Sequence, residues 1–184
     1  MGYLYMIEIY SDGGSYPATT KAAGWAFAIA PLSNEKPWRI FFGHLPPPST
    51  NNIAEMLGAL NAMRFMYHFH LKTGKRLPPV KIISDSQYVI KGITEYRFKW
   101  EVEGWPEKNH QIWCDIFDTF YKLREVCDLT FEWVYGHRGN KGNEIADQWA
   151  TRAKEDSNLC INNSAMVSTK VTGDFITFLA ESGY

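Results

Sequence analysis

Four carboxylates of this chain, Asp12, Glu55, Asp85 and Asp147, sit where apolar segments begin or end. Asp12 follows the run Tyr5-Met6-Ile7-Glu8-Ile9-Tyr10-Ser11, which reads as a strand, and precedes Gly13-Gly14, which permit a tight turn. It is therefore expected at a strand's C-terminal end. Each carboxylate also has an ordinary reading: Asp12 as the turn residue of Asp-Gly, Glu55 as a paired or snorkelling side chain, Asp85 as a helix N-cap before Ser86, and Asp147 as a solvated position favoured by a helix dipole. Glu55, however, shares a helical face with Ala59 and Ala62. Small residues there let a helix approach a sheet closely, and an unpaired carboxylate in such a contact is costly. Jointly, two of the four lie at strand ends and two in early turns of flanking helices, and open sheets gather sites at the carboxyl edge of their strands. Four converging carboxylates repel one another unless cations neutralise them. Hard oxygen donors suit Mg²⁺, or Mn²⁺ in its place, rather than zinc, and magnesium points to phosphate chemistry.

The elements that must position these groups can be read in order. Ala22-Ala23-Gly24-Trp25-Ala26-Phe27-Ala28-Ile29-Ala30 and Trp38-Arg39-Ile40-Phe41-Phe42-Gly43-His44-Leu45 are strands, so the chain opens with three antiparallel strands. Capping side chains at 49–52 start a helix that runs to His70 and is closed by Gly74. Val80-Lys81-Ile82-Ile83-Ser84 is a strand ending at Asp85, and strand, helix, strand in succession implies a parallel crossover. Residues 86–93 form a short helix, 96–105 an aromatic-rich irregular or helical piece, and 110–126 a helix with Ile112, Ile116, Phe117, Phe120 and Leu123 on one face. A fifth strand covers 129–135, a loop 136–142 and a last strong helix 143–155. The order βββαβαβα predicts an α/β fold: a mixed five-stranded sheet, three antiparallel strands and then parallel ones, with helices on both faces. After Asp156 the composition turns rich in Asn and Ser, which marks an extension over 156–184. Phe175, Phe178 and Leu179 suggest a short helix within 173–181, packed back on the domain or serving a partner.

The blocks Asp12-Gly13, Thr50-Asn51-Asn52-x-x-Glu55, Ser84-Asp85-Ser86-Gln87-Tyr88-Val89 and Gly136-His137-x-Gly139-x-x-x-Asn143-Glu144-x-x-Asp147 resemble the signature of type 1 ribonuclease H, in that family's order. The resemblance covers about residues 3–155 and makes 1–155 the expected catalytic domain, with a ribonuclease H-like fold. It implies an endonuclease that hydrolyses the RNA strand of RNA/DNA hybrids and leaves 5′-phosphate and 3′-hydroxyl ends. Two Mg²⁺ ions about 4 Å apart would clamp the scissile phosphate. By that resemblance Asp12 bridges both ions, Glu55 and Asp85 complete one shell and Asp147 the other. His137 matches a loop histidine that assists proton transfer or product release, and Glu144 a secondary acid near the second metal.

Hybrid recognition requires a test for 2′-hydroxyls on one strand. The amides of Asn51 and Gln87 can donate and accept, and by resemblance they read the RNA strand with backbone groups of Gly13 or Gly14. Thr50 and Asn52 would contact the DNA strand, with helix capping as their ordinary role, and Tyr96 would pack on DNA sugars unless it is a core aromatic. The chain departs from the family pattern in reading Asp12-Gly13-Gly14-Ser15 rather than Asp-Gly-Ser. It also departs between Tyr96 and Trp113, where many relatives carry a lysine-rich protrusion. Here Arg97, Lys99 and Lys108 are offset by Glu101, Glu103 and Glu107, which predicts weaker hybrid binding with a flatter salt dependence. Two other readings stand beside the enzyme: a hybrid-binding module without catalysis, and another metal-dependent nuclease of the same fold.

Bulk properties bound the rest. With 184 residues, 45% hydrophobic and 21% charged, one domain with a tail is the natural expectation. A net charge of -1 leaves any phosphate-binding surface to local arrangement. Cys114, Cys127 and Cys160 are odd in number and lack metal-type spacing, which favours reduced thiols. With no signal-length or membrane-spanning apolar run, a soluble cytoplasmic protein, monomeric and away from membranes, is expected.

Overall fold

The structure is a computed structural model and describes residues 5–18, 22–159 and 175–176. Strands β1 (Ile7–Ser15), β2 (Ala23–Ile29) and β3 (Trp38–Leu45) pair antiparallel in sequence order. Helix α1 (Asn51–Thr73) then crosses to β4 (Val80–Ser84), which lies parallel to β1 on its other side. Helix α2 (Gln87–Lys91), a π-helical turn over Gly92–Tyr96, α3 (Arg97–Glu103) and α4 (His110–Arg124) lead to β5 (Leu129–Trp133), parallel to β4. Helix α5 (Lys141–Glu155) closes the domain. The mixed sheet, its antiparallel-then-parallel order and its helices are those expected from the sequence. A two-residue strand, β6 (Phe175–Ile176), adds parallel to β3 and gives the order β5-β4-β1-β2-β3-β6. These two residues are therefore extended, and the remainder of the helix expected over 173–181 lies outside the described residues.

The expectation for Gly13-Gly14 needs correction. Strand β1 does not turn after Asp12 but continues to Ser15, with Asp12 opposite Ala26, Gly13 opposite Trp25 and Gly14 opposite Gly24. The physical reason for Gly13 is close packing: a Cβ there would lie 2.2 Å from the Ala54 carbonyl carbon and the Glu55 nitrogen. Gly58, one turn further along α1, also sits close on the strand, where a Cβ would come within 2.7 Å of the Asp12 carbonyl oxygen. Two glycines, one on each partner, thus seat α1 on the strand that carries Asp12.

The sheet separates two apolar layers. The larger lies under α1 and α4 and contains the rings of Phe27, Phe41 and Phe65, with Phe27–Phe41 and Phe41–Phe65 centroids each 4.8 Å apart. The smaller lies under α5, where Trp149 meets Phe42 at 4.9 Å. Burial of both faces explains why β2, small and large residues alike, is inaccessible along its whole length. Helix α1 is capped as the sequence suggests: the Thr50 hydroxyl accepts from the Ile53 N–H at 3.2 Å, and Gly74 adopts a left-handed conformation at the other end.

Candidate active site

Register places the first two carboxylates side by side. Ser11 of β1 pairs with Ser84 of β4, so Asp12 and Asp85 are the next residues on adjacent parallel strands. Glu55 arrives on α1, whose backbone rests on Gly13. Single oxygens of Asp12, Glu55 and Asp85 lie within 4.8 Å of one another. Among the described residues this is the group that could grip one ion; Asp147 lies beyond it on α5, although its charge reaches Asp12.

Asp12 is only 5% exposed and its Oδ1 accepts the Gly13 N–H at 2.7 Å. Burial pushes its carboxyl well above the usual carboxylate range, the negative charge of Asp85 adds to this, the Gly13 hydrogen bond opposes it, and Asp147 and Glu55 raise it further. Glu55 is raised as well, first by burial and also by Asp85, against the Ser86 hydroxyl (2.5 Å to Oε2) and the Asn51 amide (2.6 Å to Oε1). Asp85 does not cap α2, because that role belongs to Ser86, whose hydroxyl accepts from the Val89 N–H at 3.3 Å. Instead its backbone carbonyl accepts the Trp133 indole N–H at 2.9 Å, its Oδ2 accepts from Asn143 Nδ2 at 3.4 Å, and Gly136 lies directly against that oxygen.

This cluster fits a divalent cation. Its donors are hard carboxylate oxygens, their mutual repulsion is what a bound cation relieves, and Asn143 adds a buried Oδ1 without a partner beside Asp85. Ser86 and Asn143 fall within the sequence blocks, which give them no task, and nothing local in the sequence singles out Trp133. For Ser86 the available signal is a hydroxyl next to a candidate ligand. The indole contact depends on β5 lying beside β4 and has no local signature.

The remaining expected residues are distributed around the cluster. His137 is exposed, with φ 55°, in the loop between β5 and α5, and Glu144 is exposed in the first turn of α5. The Asn51 amide is engaged with Glu55, Thr50 caps α1, Asn52 is half-buried and Gln87 is exposed at the start of α2. The Gly13 N–H is taken by Asp12, and Gly14 lies within the β1–β2 ladder. Tyr96 is 48% exposed against Trp100, a surface rather than a core aromatic. On α3 the cations pair with its own acids, Arg97 with Glu101 at 2.7 Å and Lys99 with Glu103 at 3.5 Å, as the sequence suggests.

A mixed sheet of this order, with carboxylates from β1, α1 and the residue after β4 clustered where the β1–β4 parallel ladder ends, defines a ribonuclease H-like domain with a metal-type acidic site. A model of the RNase H family matches residues 5–155, and the chain belongs to the ribonuclease H family and is an enzyme of that class. It is 32% identical over 150 residues to a ribonuclease H of Orientia tsutsugamushi, an alignment spanning 80% of this chain and 82% of the relative. To a ribonuclease H of Cupriavidus necator it is 35% identical over 155 residues, spanning 81% and 95%. Its fold is similar to that of LC9-RNase H1, a type 1 RNase H with the type 2 active-site motif, with TM-score 0.70 at 20% identity over 89% of this chain and 77% of that one. It is also similar to the solution structure of the PFV RNase H domain, with TM-score 0.62 at 21% identity over 81% and 94%.

Proposed function

We propose that the chain is an endonuclease that hydrolyses the RNA strand of RNA/DNA hybrids, leaving 5′-phosphate and 3′-hydroxyl ends. The observation that carries this reading is the set of three partly or fully desolvated carboxylates, Asp12, Glu55 and Asp85, gathered within 4.8 Å in a chain of the ribonuclease H family. These three, with Asp147, would hold two divalent ions, Mg²⁺ first and Mn²⁺ as a substitute. Bound there, such ions would supply activation of water and stabilisation of the leaving oxygen. The protein's own part is positional. Ser86 and Asn51 hold the Glu55 carboxylate between two hydrogen bonds, and Trp133, Asn143 and Gly136 hold Asp85. His137, a left-handed residue of the loop that touches Asp85, would move a proton at the leaving oxygen or help product depart. Asn51 and Gln87 would read the RNA strand, and Thr50, Asn52 and Tyr96 the DNA strand.

In this reading 1–155 is the catalytic domain and 156–184 an extension through which a partner could act, and the enzyme works as a cytoplasmic monomer. Among the described residues no helix is long and apolar enough to cross a membrane, and Cys114 and Cys127 are free thiols. The test is incubation of a labelled RNA/DNA hybrid with Mg²⁺, beside single-stranded RNA, RNA duplex, DNA duplex and the Asp85→Asn variant. Cleavage of the hybrid's RNA alone, lost in the variant, is the expected result. Tight hybrid binding without cleavage under both Mg²⁺ and Mn²⁺ would make the chain a binding module, and cutting of DNA would make it another nuclease of this fold.

A further inference from the structure

The segment that fixes Asp85 also carries an arginine to which the carboxylates give no role. After β5 the Val134 N–H donates to the Ser84 carbonyl at 3.0 Å, the Trp133 indole to the Asp85 carbonyl at 2.9 Å, and Gly136 rests on Asp85 Oδ2. Tyr135 is thereby held between two points of contact with the site, yet it is 58% exposed. Its ring meets Trp133 edge-on at 4.5 Å, and the Arg138 guanidinium lies over it, 4.6 Å from the centroid. Arg138 is flanked by His137 at φ 55° and Gly139 at φ 76°, so the chain turns sharply around it. Among the described residues Arg138 forms no ion pair, although Gly136 of the same loop touches a carboxylate of the cluster.

That combination differs from the cations of α3. Arg97 and Lys99 are each bound to a glutamate of their own helix, so they offer little to a phosphate. Arg138 keeps its fork of N–H donors unspent. Stacking on an aromatic ring fixes the plane of a guanidinium and leaves its edge open, and that edge suits two oxygens of one phosphodiester. We propose that Tyr135 and Arg138 form a backbone contact of the RNA strand: the guanidinium takes a phosphate neighbouring the cleaved bond, and the exposed tyrosine ring lies against an adjoining sugar. The strand is assigned as RNA because this loop is tied to Asp85, and the phosphate that meets Asp85 belongs to the strand that is cut. The inference rests on the hybrid-cleaving function proposed above. It also supplies, at the cluster's rim, a phosphate contact that the self-paired α3 does not.

The experiment measures hybrid binding across a salt series with the full chain carrying Asp85→Asn, alone and combined with Arg138→Ala, Arg138→Lys or Tyr135→Leu. Arg138→Ala is expected to weaken binding roughly tenfold at low salt and to flatten the slope of log K against log salt by somewhat under one unit. Arg138→Lys should keep the slope while losing part of the affinity, because the point charge stays and the planar fork goes. Tyr135→Leu should weaken binding with the slope unchanged. Neutral methylphosphonate linkages near the cleavage position in the RNA strand should erase the difference that Arg138→Ala makes, whereas the same linkages in the DNA strand should preserve it. An Arg138→Ala protein with unaltered affinity and slope overturns the contact, and erasure by DNA-strand linkages overturns the strand assignment. Hybrid cleavage by the unaltered chain is scored separately. If it cleaves and Arg138→Ala changes neither KM nor binding, only this inference fails, whereas absence of cleavage with Arg138 intact removes the function on which it rests.

Discussion

Gly13 and Glu55 meet backbone to backbone: a Cβ on Gly13 would stand 2.2 Å from the Glu55 nitrogen. The contact sets the height of α1 over β1 and therefore the distance from Glu55 to Asp12. Neither atom belongs to a flexible side chain, so a methyl group can be accommodated only by lifting the helix. Gly13→Ala is expected to cost about 3 kcal/mol or more in stability, and to depress hybrid cleavage beyond that by separating the carboxylates. Gly14, one residue on, has nothing within 4 Å of its virtual Cβ. Gly14→Ala should stay within about 1 kcal/mol of the parent. Urea denaturation of the two variants checks this, and equal losses would show that the close approach is not what selects glycine at 13.

The same pair shows what a sequence can and cannot convey. Alternation and capping side chains locate β2, β3 and α1 because those signals are local. Three of the four acidic blocks carry the carboxylates that cluster, Asp12, Glu55 and Asp85, because spacing within a block survives folding, whereas Asp147 of the fourth lies beyond the group. Gly13-Gly14 reads as a turn, since a glycine required for helix-to-strand contact looks identical in sequence to one required for a turn, and the helix responsible lies some forty residues away. Trp133 is invisible for a related reason: its hydrogen bond to Asp85 follows from β4 and β5 being neighbours, a fact of sheet order. Helix α5 begins at Lys141, ahead of the start expected at Asn143, because its cap is Asn140.

Ser86 serves two elements at once, donating its hydroxyl proton to Glu55 and accepting the Val89 N–H at the start of α2. Ser86→Ala removes both, and loss of the cap alone should cost about 1 kcal/mol. The hydrogen bond from Ser86 lowers the Glu55 pKa against burial, so its removal must raise it. A ligand must be ionised to hold a cation, and the acid limb of the pH–rate profile should therefore move to higher pH in Ser86→Ala and return in Ser86→Thr. An acid limb that stays in place in the alanine variant would mean that Glu55 ionisation does not govern it.

Asp12 reverses the usual effect of a carboxylate on acid stability. Its folded pKa is raised well above the ordinary 3.8, chiefly by burial and then by Asp85, so in the metal-free protein the folded state holds its proton more tightly than the unfolded state. Between the unfolded and folded values the native state binds more protons, and stability falls as pH rises through that window. Wherever the group is ionised it is a net burden on the folded state that a cation relieves. Asp12→Asn should accordingly abolish cleavage yet stabilise the metal-free protein at pH 7 by on the order of 1–3 kcal/mol. Added Mg²⁺ should raise the melting temperature of the parent more than that of the variant. Thermal melts in chelator and in Mg²⁺ decide the matter, and a destabilised Asp12→Asn protein in chelator would show that the carboxylate is compensated by the fold itself.

Helix α3 sets the remaining expectation, because its acids hold its cations. Glu101 accepts from both Arg97 and the Tyr121 hydroxyl, so its replacement would loosen α3 from α4 as well as change charge. Glu103 and Glu107 are exposed, and Glu103 meets Lys99 at 3.5 Å across a pair open to solvent, which contributes little to stability. Glu103→Lys with Glu107→Lys should therefore leave the fold intact while freeing Lys99 and adding two cations. Hybrid binding at low salt should tighten, and the salt slope should steepen by about 0.9 for each phosphate newly contacted. Adding Glu101→Lys should tighten binding further at a measurable loss of thermal stability. Binding isotherms at several salt concentrations give the answer: an unchanged slope in the double variant would place α3 away from the hybrid and leave the loop at Tyr135 and Arg138 to supply the cationic contact.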